Sequence, residues 1–161
     1  MKRNFALGID PGQTGAISIF EQSPIKGDWY LNTIIDYNGP VIPMLREIVA
    51  LHKCNSAVIE SVHSAPGQGV SSTFKFGTNF GWWLGVLDSL LISYTLVSPQ
   101  KWQGNLFKEY KNSYGKLDRS TKEVSLELAR KLFGEKYFER KKDHGRSDAA
   151  LIGWYGITQL Q

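Results

Sequence analysis

Short apolar runs that end at turn-forming or acidic residues recur along the first hundred positions of the chain. The first run, residues 5–9, ends at Asp10-Pro11-Gly12, and a second run at 14–20 follows directly, which is typical of a β-hairpin. Further strand-like runs are predicted at residues 30–36, 57–60 and 94–97. The pattern therefore predicts five strands, of which the first two are antiparallel neighbours.

Apolar residues at helical spacing fill the segments between and after these strands. This spacing predicts helices at residues 41–52, 71–93 and 120–133, a short helix opened by Ser98-Pro99, and a last helix beginning near Arg146. The polar, weakly periodic residues 104–118 predict a surface segment. Strands that alternate with helices indicate one α/β domain over residues 1–161, with a mixed five-stranded sheet flanked by helices.

One predicted helix carries a stripe of glycines. Gly77, Gly81 and Gly85 are spaced by four on helix 71–93 and so form a smooth strip along one side of it. Such a strip allows close approach of a neighbouring element, so we expect it to serve packing.

The composition is ordinary for a globular protein, with 42% hydrophobic and 21% charged residues. No segment has the 18 or so uninterrupted apolar residues of a membrane span, and the amino terminus lacks the apolar region of a secretory signal. We therefore expect no membrane association and a cytoplasmic location, in a bacterial cell or a phage-infected host. Cys54 is the only cysteine, which excludes an intramolecular disulfide and a cysteine-based metal cluster.

Positive charge is concentrated in the second half of the chain. The net charge is +4, and most of the 19 Lys and Arg residues lie between positions 101 and 146. This distribution predicts a polyanionic partner such as nucleic acid. A solvated helical face is the alternative, and charge alone does not separate the two.

Three acidic residues lie where a predicted element meets a loop. Asp10 and Glu60 end strands, and Asp148 is placed in the first turn of the last helix. Strand ends are where sites assemble in α/β sheets, and clustered carboxylates need a cation, for which oxygen ligands select Mg²⁺ or Mn²⁺. Taken singly, each residue is weak evidence, and a turn-forming Asp, an exposed Glu and a capping Asp are the favoured interpretations.

Three motifs containing these acids resemble those of one family. Gly8-Ile9-Asp10-Pro11-Gly12, Ala57-Val58-Ile59-Glu60 and Ser147-Asp148-Ala149-Ala150-Leu151 are similar, in order and element type, to the acidic motifs of RuvC-type Holliday-junction resolvases. Their combined order and spacing is more specific than any single motif. The resemblance implies the ribonuclease H-like fold. It also implies that the chain is a divergent, phage-type member of this family.

The resemblance also implies an activity. It is that of an endonuclease that resolves four-way DNA junctions by paired symmetric nicks, working as a homodimer with two Mg²⁺ ions per active site, for which Mn²⁺ can substitute. Asp10, Glu60 and Asp148 would bind the metal and act in catalysis. The family's usual fourth ligand position is Gly145 here, so Asp143 or His144 would replace it. Asp143 is preferred because a further carboxylate suits a hard cation.

Basic residues would bind the DNA backbone under the same resemblance. Lys101 and Lys122 would lie near the scissile phosphate, with Lys122 assisting catalysis, and His63 stands near the position of an aromatic residue that the family inserts into the junction. A simple loop histidine is the alternative for His63. The remaining expected DNA contacts are Lys75, Lys108, Lys111, Lys116 and Arg119.

Other functions share some of these features. A ribonuclease H or an exonuclease would have the same carboxylates and a different substrate. A sugar kinase or actin-like ATPase has a similar first loop but needs two lobes and more than twice this length. A non-catalytic junction-binding protein is expected to lose one acid, whereas Asp10, Glu60 and Asp148 are all present.

Overall fold

The computed structural model describes residues 2–61, 67, 69–114 and 119–160, with no side-chain description at 55, 109 and 111–114. Its strands are β1 (Asn4–Asp10), β2 (Ala16–Gln22), β3 (Trp29–Asp36), β4 (Lys53–Glu60) and β5 (Tyr94–Val97). Its helices are α1 (Val41–Leu51), α2 (Val70–Ser89), α3 (Pro99–Tyr114), α4 (Thr121–Phe133) and α5 (His144–Gln159), with a 3-10 turn at Glu135–Tyr137.

The five strands form one mixed sheet in the order β3-β2-β1-β4-β5. β1, β2 and β3 pair antiparallel, whereas β4 pairs parallel with both β1 and β5. Ile9 pairs with Ile59 in neighbouring parallel strands, so the carboxyl ends of β1 and β4 lie side by side. The predicted mixed five-stranded sheet is confirmed, and its topology brings the first two acids to the same edge.

Helices cover both faces of the sheet. Alternate side chains of β1 point to opposite faces, and Phe5, Leu7 and Ile9 pack with residues of α1 and α2. Ala6, from the other face, belongs to a second core formed with α3, α4 and α5. Burial of apolar side chains on both sides therefore holds the acidic edge between two packed layers.

α5 lies unusually close to β1 because a glycine stands at the contact. A Cβ on Gly8 would come within 2.2 Å of the amide nitrogen of Gly153 and 2.3 Å of the carbonyl oxygen of Ala149. No other residue fits this contact without displacing the helix. This close approach places Asp148, which precedes Ala149 on α5, near the end of β1.

The structure corrects two boundaries. α3 continues to Tyr114, so residues 104–114 are helical where a surface segment was predicted. The reason is that Trp102, Phe107 and Tyr110 form a buried apolar face on this otherwise polar helix. α5 begins at His144, so Asp148 lies in its second turn instead of its first. Its carboxylate therefore gains little from the helix dipole.

Two further predictions concern α4 and α2. α4 starts at its predicted position, where Ser120 and Glu123 form a capping box. The glycine stripe of α2 does not pack within the chain, because a Cβ on Gly77, Gly81 or Gly85 would meet no described atom within 4 Å. The described residues therefore leave that side of α2 uncovered.

Candidate active site

Three carboxylates from three elements form the centre of the candidate site. Asp10 ends β1, Glu60 ends the adjacent β4, and Asp148 is carried by α5 against β1. Their charges influence one another: Asp10 raises the pKa of Glu60, and both raise the pKa of Asp148. The sequence-predicted acids are therefore brought together at one edge of the sheet.

Burial makes all three carboxylic acids weak. It raises the pKa of Asp10 to about 6, although the amide of Gly12 donates to its Oδ1 at 2.9 Å. It raises the pKa of Glu60 to about 7. Burial, followed by the charge of Asp10, raises the pKa of Asp148 to about 8. Near neutral pH the site therefore accumulates less negative charge than three exposed acids would, because burial and repulsion disfavour the charged forms.

The donor set suits a hard divalent cation. Oδ1 of Asp148 is buried without a hydrogen-bond partner among the described residues. The buried Ser125 side chain acts on the same carboxylate and partly offsets the rise in its pKa. Within the described ranges, no three acidic, His or Cys side chains already sit close enough to form a metal site. Like charges repel, so a cation is what would draw the oxygens together.

Glu60 has a partner that the sequence did not reveal. The indole Nε1 of Trp102, on the first turn of α3, donates to Oε2 of Glu60 at 2.7 Å. Trp102 is fully buried. In the sequence, Trp102 is one apolar residue in a helix, and only its position just after β5, the strand beside β4, could have suggested this contact.

Among the predicted basic residues whose side chains are described, Lys122 is the one whose charge acts on the carboxylates. It is exposed in the first turn of α4, and its charge lowers the pKa values of Asp10 and Asp148. Lys75 lies on α2, where it lines a small cavity with Gln13, close in sequence to Asp10. The site thus has positive charge beside its acids.

The structure does not bring Asp143 to the three acids. Burial alone would raise its pKa, but hydrogen bonds and charge from Arg140 outweigh this and hold the pKa below its usual value. Arg140 donates from its backbone amide to Oδ2 at 2.9 Å and from Nε to Oδ1 at 2.7 Å. Both oxygens are thus engaged, so the preference for Asp143 as fourth ligand loses its support.

His144, the other candidate for fourth ligand, remains open to a new partner. Its Nδ1 is buried and has no hydrogen-bond partner in the described part of the chain. Its side chain lines a groove with Arg119 and Glu123. An imidazole nitrogen without a hydrogen-bond partner can bind a metal ion.

The other predicted DNA contacts are spread over several elements. Lys101 and Lys108 are exposed on α3, and Arg119 forms an ion pair with Glu127 of α4. Lys111 belongs to α3, but its side chain is not described, and His63 and Lys116 lie outside the described residues.

Comparisons with solved structures identify the fold. The Thermus thermophilus RuvC in complex with a Holliday junction substrate aligns with 97% of this chain and 94% of its own, with a TM-score of 0.63 and 16% identity. The yeast mitochondrial Holliday junction resolvase aligns with 92% of this chain and 75% of its own, with a TM-score of 0.52 and 12% identity. The fowlpox virus Holliday junction resolvase covers 98% and 99%, with a TM-score of 0.50 and 12% identity.

The chain therefore has the ribonuclease H-like fold of these resolvases. Its sequence matches no protein-family model and no curated protein. Among the described helices, none is long and apolar enough to cross a bilayer.

Proposed function

We propose that this protein is an endonuclease that resolves four-way DNA junctions by metal-dependent hydrolysis of phosphodiester bonds. The observation that carries this proposal is the convergence of Asp10, Glu60 and Asp148, from β1, β4 and α5, at one edge of a fold shared with RuvC. An accidental grouping of three partly buried acids would be costly, because each loses hydration and repels the others. A catalytic cation site would explain why the acids are grouped despite this cost.

The proposed cofactor is Mg²⁺, with Mn²⁺ as a substitute and two ions per site. When bound, these cations lower the pKa of an attacking water and stabilise the charge on the leaving oxygen. Asp10, Glu60 and Asp148 would hold them, and the unpartnered Oδ1 of Asp148 supports this assignment. His144 is the remaining candidate for a fourth ligand.

The chain's own residues supply charge and position around the phosphate. Lys122 projects from α4 beside the acids, where its ammonium group can offset negative charge on the scissile phosphate. Lys75 lies in the second turn of α2, and Lys101 lies in the first turn of α3, the helix that follows β5. The further contacts proposed along the DNA backbone are His63, Lys108, Lys111, Lys116 and Arg119.

We propose a homodimer as the working unit, because one chain offers one carboxylate cluster and resolution needs two opposed cuts. The open side of α2 is the surface we assign to the contact. Val70 and Phe74 are 87% and 75% exposed there, beside the unfilled space at Gly81. A self-complementary apolar face of this kind suits a two-fold interface.

Cleavage of three substrates tests the activity. A four-way junction, an RNA–DNA hybrid and a linear duplex are offered to the wild type and to Asp10→Asn, Glu60→Gln and Asp148→Asn. We expect Mg²⁺-dependent cutting of the junction alone, lost in each variant, while junction binding survives because the basic residues are unchanged. Preferential cutting of the hybrid would favour a ribonuclease H activity, and digestion from duplex ends would favour an exonuclease.

A further inference from the structure

The indole of Trp102 is fixed beside Glu60 by the way β5 leads into α3. Glu60 pairs with Val97, the last residue of β5, and α3 begins two residues later at Pro99. The Ser98 hydroxyl accepts from the amide of Lys101 at 3.3 Å, and the Ser98 carbonyl accepts from the amide of Trp102 at 3.3 Å. The first turn of α3 is therefore anchored next to the end of β4.

Packing also restricts the orientation of this indole. Trp102 is fully buried, and its ring meets Phe107 edge to face at a centroid distance of 5.7 Å. It belongs to the core formed with α4 and α5. A side chain this enclosed has few alternative rotamers, so its N–H direction is set before any ligand arrives.

The chemistry of the contact leaves Glu60 available to a ligand. An indole has one donor and no acceptor, so Trp102 engages only Oε2, at 2.7 Å. Oε1 stays free of this bond. The indole is neutral, so it orients the carboxylate without cancelling the negative charge that attracts a cation.

We propose that Trp102 is a positioning residue that holds the Glu60 carboxylate in the orientation that binds a divalent cation. This inference rests on the proposed function, since it assigns Glu60 as a metal ligand. Groups that orient metal-ligating side chains typically change metal affinity by about 10–100-fold when they are removed.

The test measures Mn²⁺ binding to the DNA-free protein by electron paramagnetic resonance. Trp102→Phe is expected to weaken binding by about tenfold or more. Trp83→Phe is the matched control, because Trp83 is also fully buried and its Nε1 has no hydrogen-bond partner among the described residues. Both variants lose the same atoms from a core, so the melting temperature should fall in both. The Mn²⁺ affinity should fall only in Trp102→Phe. Equal Mn²⁺ affinities in the two variants would overturn the inference.

A second comparison separates this inference from the proposed function. Glu60→Ala should weaken Mn²⁺ binding, and adding Trp102→Phe to it should cause no further loss, because the acceptor is gone. A full additional loss would mean that Trp102 acts elsewhere, which overturns the positioning role alone. Unchanged Mn²⁺ binding in Glu60→Ala itself would remove Glu60 from the metal site and overturn both.

The indole N–H gives a readout that needs no substitution of Trp102. Five indole resonances are expected in a nitrogen-15 correlation spectrum, one for each tryptophan. Glu60→Ala should shift one of them strongly, and Mg²⁺ should shift the same resonance in the wild type. If neither Glu60→Ala nor Mg²⁺ shifts any indole resonance, the indole N–H does not contact a metal-binding carboxylate and the inference fails.

Discussion

The hydroxyl of Ser18 donates a 2.7 Å hydrogen bond to the main-chain carbonyl of Ala149, the residue that follows Asp148. The same hydroxyl lies 3.2 Å from the carbonyl oxygen of Gly8 on β1. Ser18 itself is on β2 and fully buried. One side chain thus joins two strands to α5 next to a site carboxylate, so the position of Asp148 depends on how closely α5 lies on the sheet.

Gly8→Ala should destabilise the protein and disturb the site. Its Cβ would overlap backbone atoms of Gly153 and Ala149, which cannot rotate away. We expect a loss of about 3 kcal/mol in the free energy of unfolding, at the upper end for overpacking. Urea denaturation measures this loss.

Gly104→Ala is the matched control for that substitution. Gly104 lies inside α3 with open space at its Cβ position. Replacing it should stabilise the protein by about 0.5–1 kcal/mol through helix propensity. Wild-type stability in Gly8→Ala would contradict the close approach of α5 to β1.

The stability of the metal-free protein should fall as pH rises. Burial gives Asp148 a folded pKa of about 8 against an ordinary value of 3.8, so between these values the folded protein keeps a proton that the unfolded chain has released. The contribution of this proton to the free energy of unfolding is therefore complete below this pH range and is lost as the pH rises through it. Melting temperatures in EDTA should therefore be higher near about pH 5 than near about pH 9.

Asp148→Asn provides the control for this pH dependence. The amide cannot ionise, so the variant should show a flatter pH profile and a higher melting temperature than the wild type at alkaline pH. Mg²⁺ should raise the wild-type melting temperature most at alkaline pH, where the carboxylates are charged. A wild-type melting temperature that increases from acid to alkaline pH in EDTA would contradict the burial of these acids.

The fold was predictable because hydrophobic periodicity reports burial directly. The run Phe5 to Ile9 is apolar throughout, as expected of a central strand covered on both faces, and the observed β1 extends it by one residue at each end. Asp10 and Glu60 could be found because they follow such runs. α3 was predicted too short because its three buried aromatic residues are separated by polar ones.

Side-chain contacts between distant segments could not be predicted from the sequence. Whether Asp143 binds a metal depends on where Arg140 points, and its guanidinium occupies the carboxylate. The bond between Trp102 and Glu60 joins residues 42 positions apart and is visible only after β4 and β5 pair. Periodicity carries no information on such side-chain pairing.

Substitution of Asp143 and His144 should have different effects. Asp143→Asn removes charge-assisted hydrogen bonds to Arg140, so we expect a loss of about 1–3 kcal/mol in unfolding free energy. The Mg²⁺ concentration for half-maximal cleavage should stay unchanged. His144→Ala should raise that concentration, because its unpartnered nitrogen is the remaining ligand candidate. If neither variant shifts it, the site has three protein ligands.

Junction affinity should depend steeply on salt, and Lys108, Lys111 and Lys116 should contribute to that dependence. Each phosphate neutralised on duplex DNA contributes about 0.9 to the slope of log affinity against log salt. Replacing Lys108, Lys111 and Lys116 together by glutamine should therefore reduce the slope by up to about 2.7. Lys2 and Lys26 precede β1 and β3, and Lys53 is the first residue of β4. The same replacement at these three lysines removes equal charge away from the site and should leave the slope unchanged. Equal slopes in all three proteins would mean that Lys108, Lys111 and Lys116 are solvated and do not neutralise phosphates.

The homodimer makes a prediction about how two cuts are coupled. In a supercoiled cruciform plasmid, one nick releases the supercoiling and lets the junction reabsorb, so only two cuts within one binding event give linear DNA. The wild type should give mainly linear product.

Gly81→Glu should give nicked circles and a monomeric mass by light scattering, because a two-fold contact along α2 would bring the introduced carboxylates of both copies together in an apolar interface. Gly104→Glu adds the same charge at another open helical glycine and should keep the dimeric mass. Linear product from a protein of monomeric mass would remove the need for a dimer, and a dimeric Gly81→Glu would move the interface away from α2.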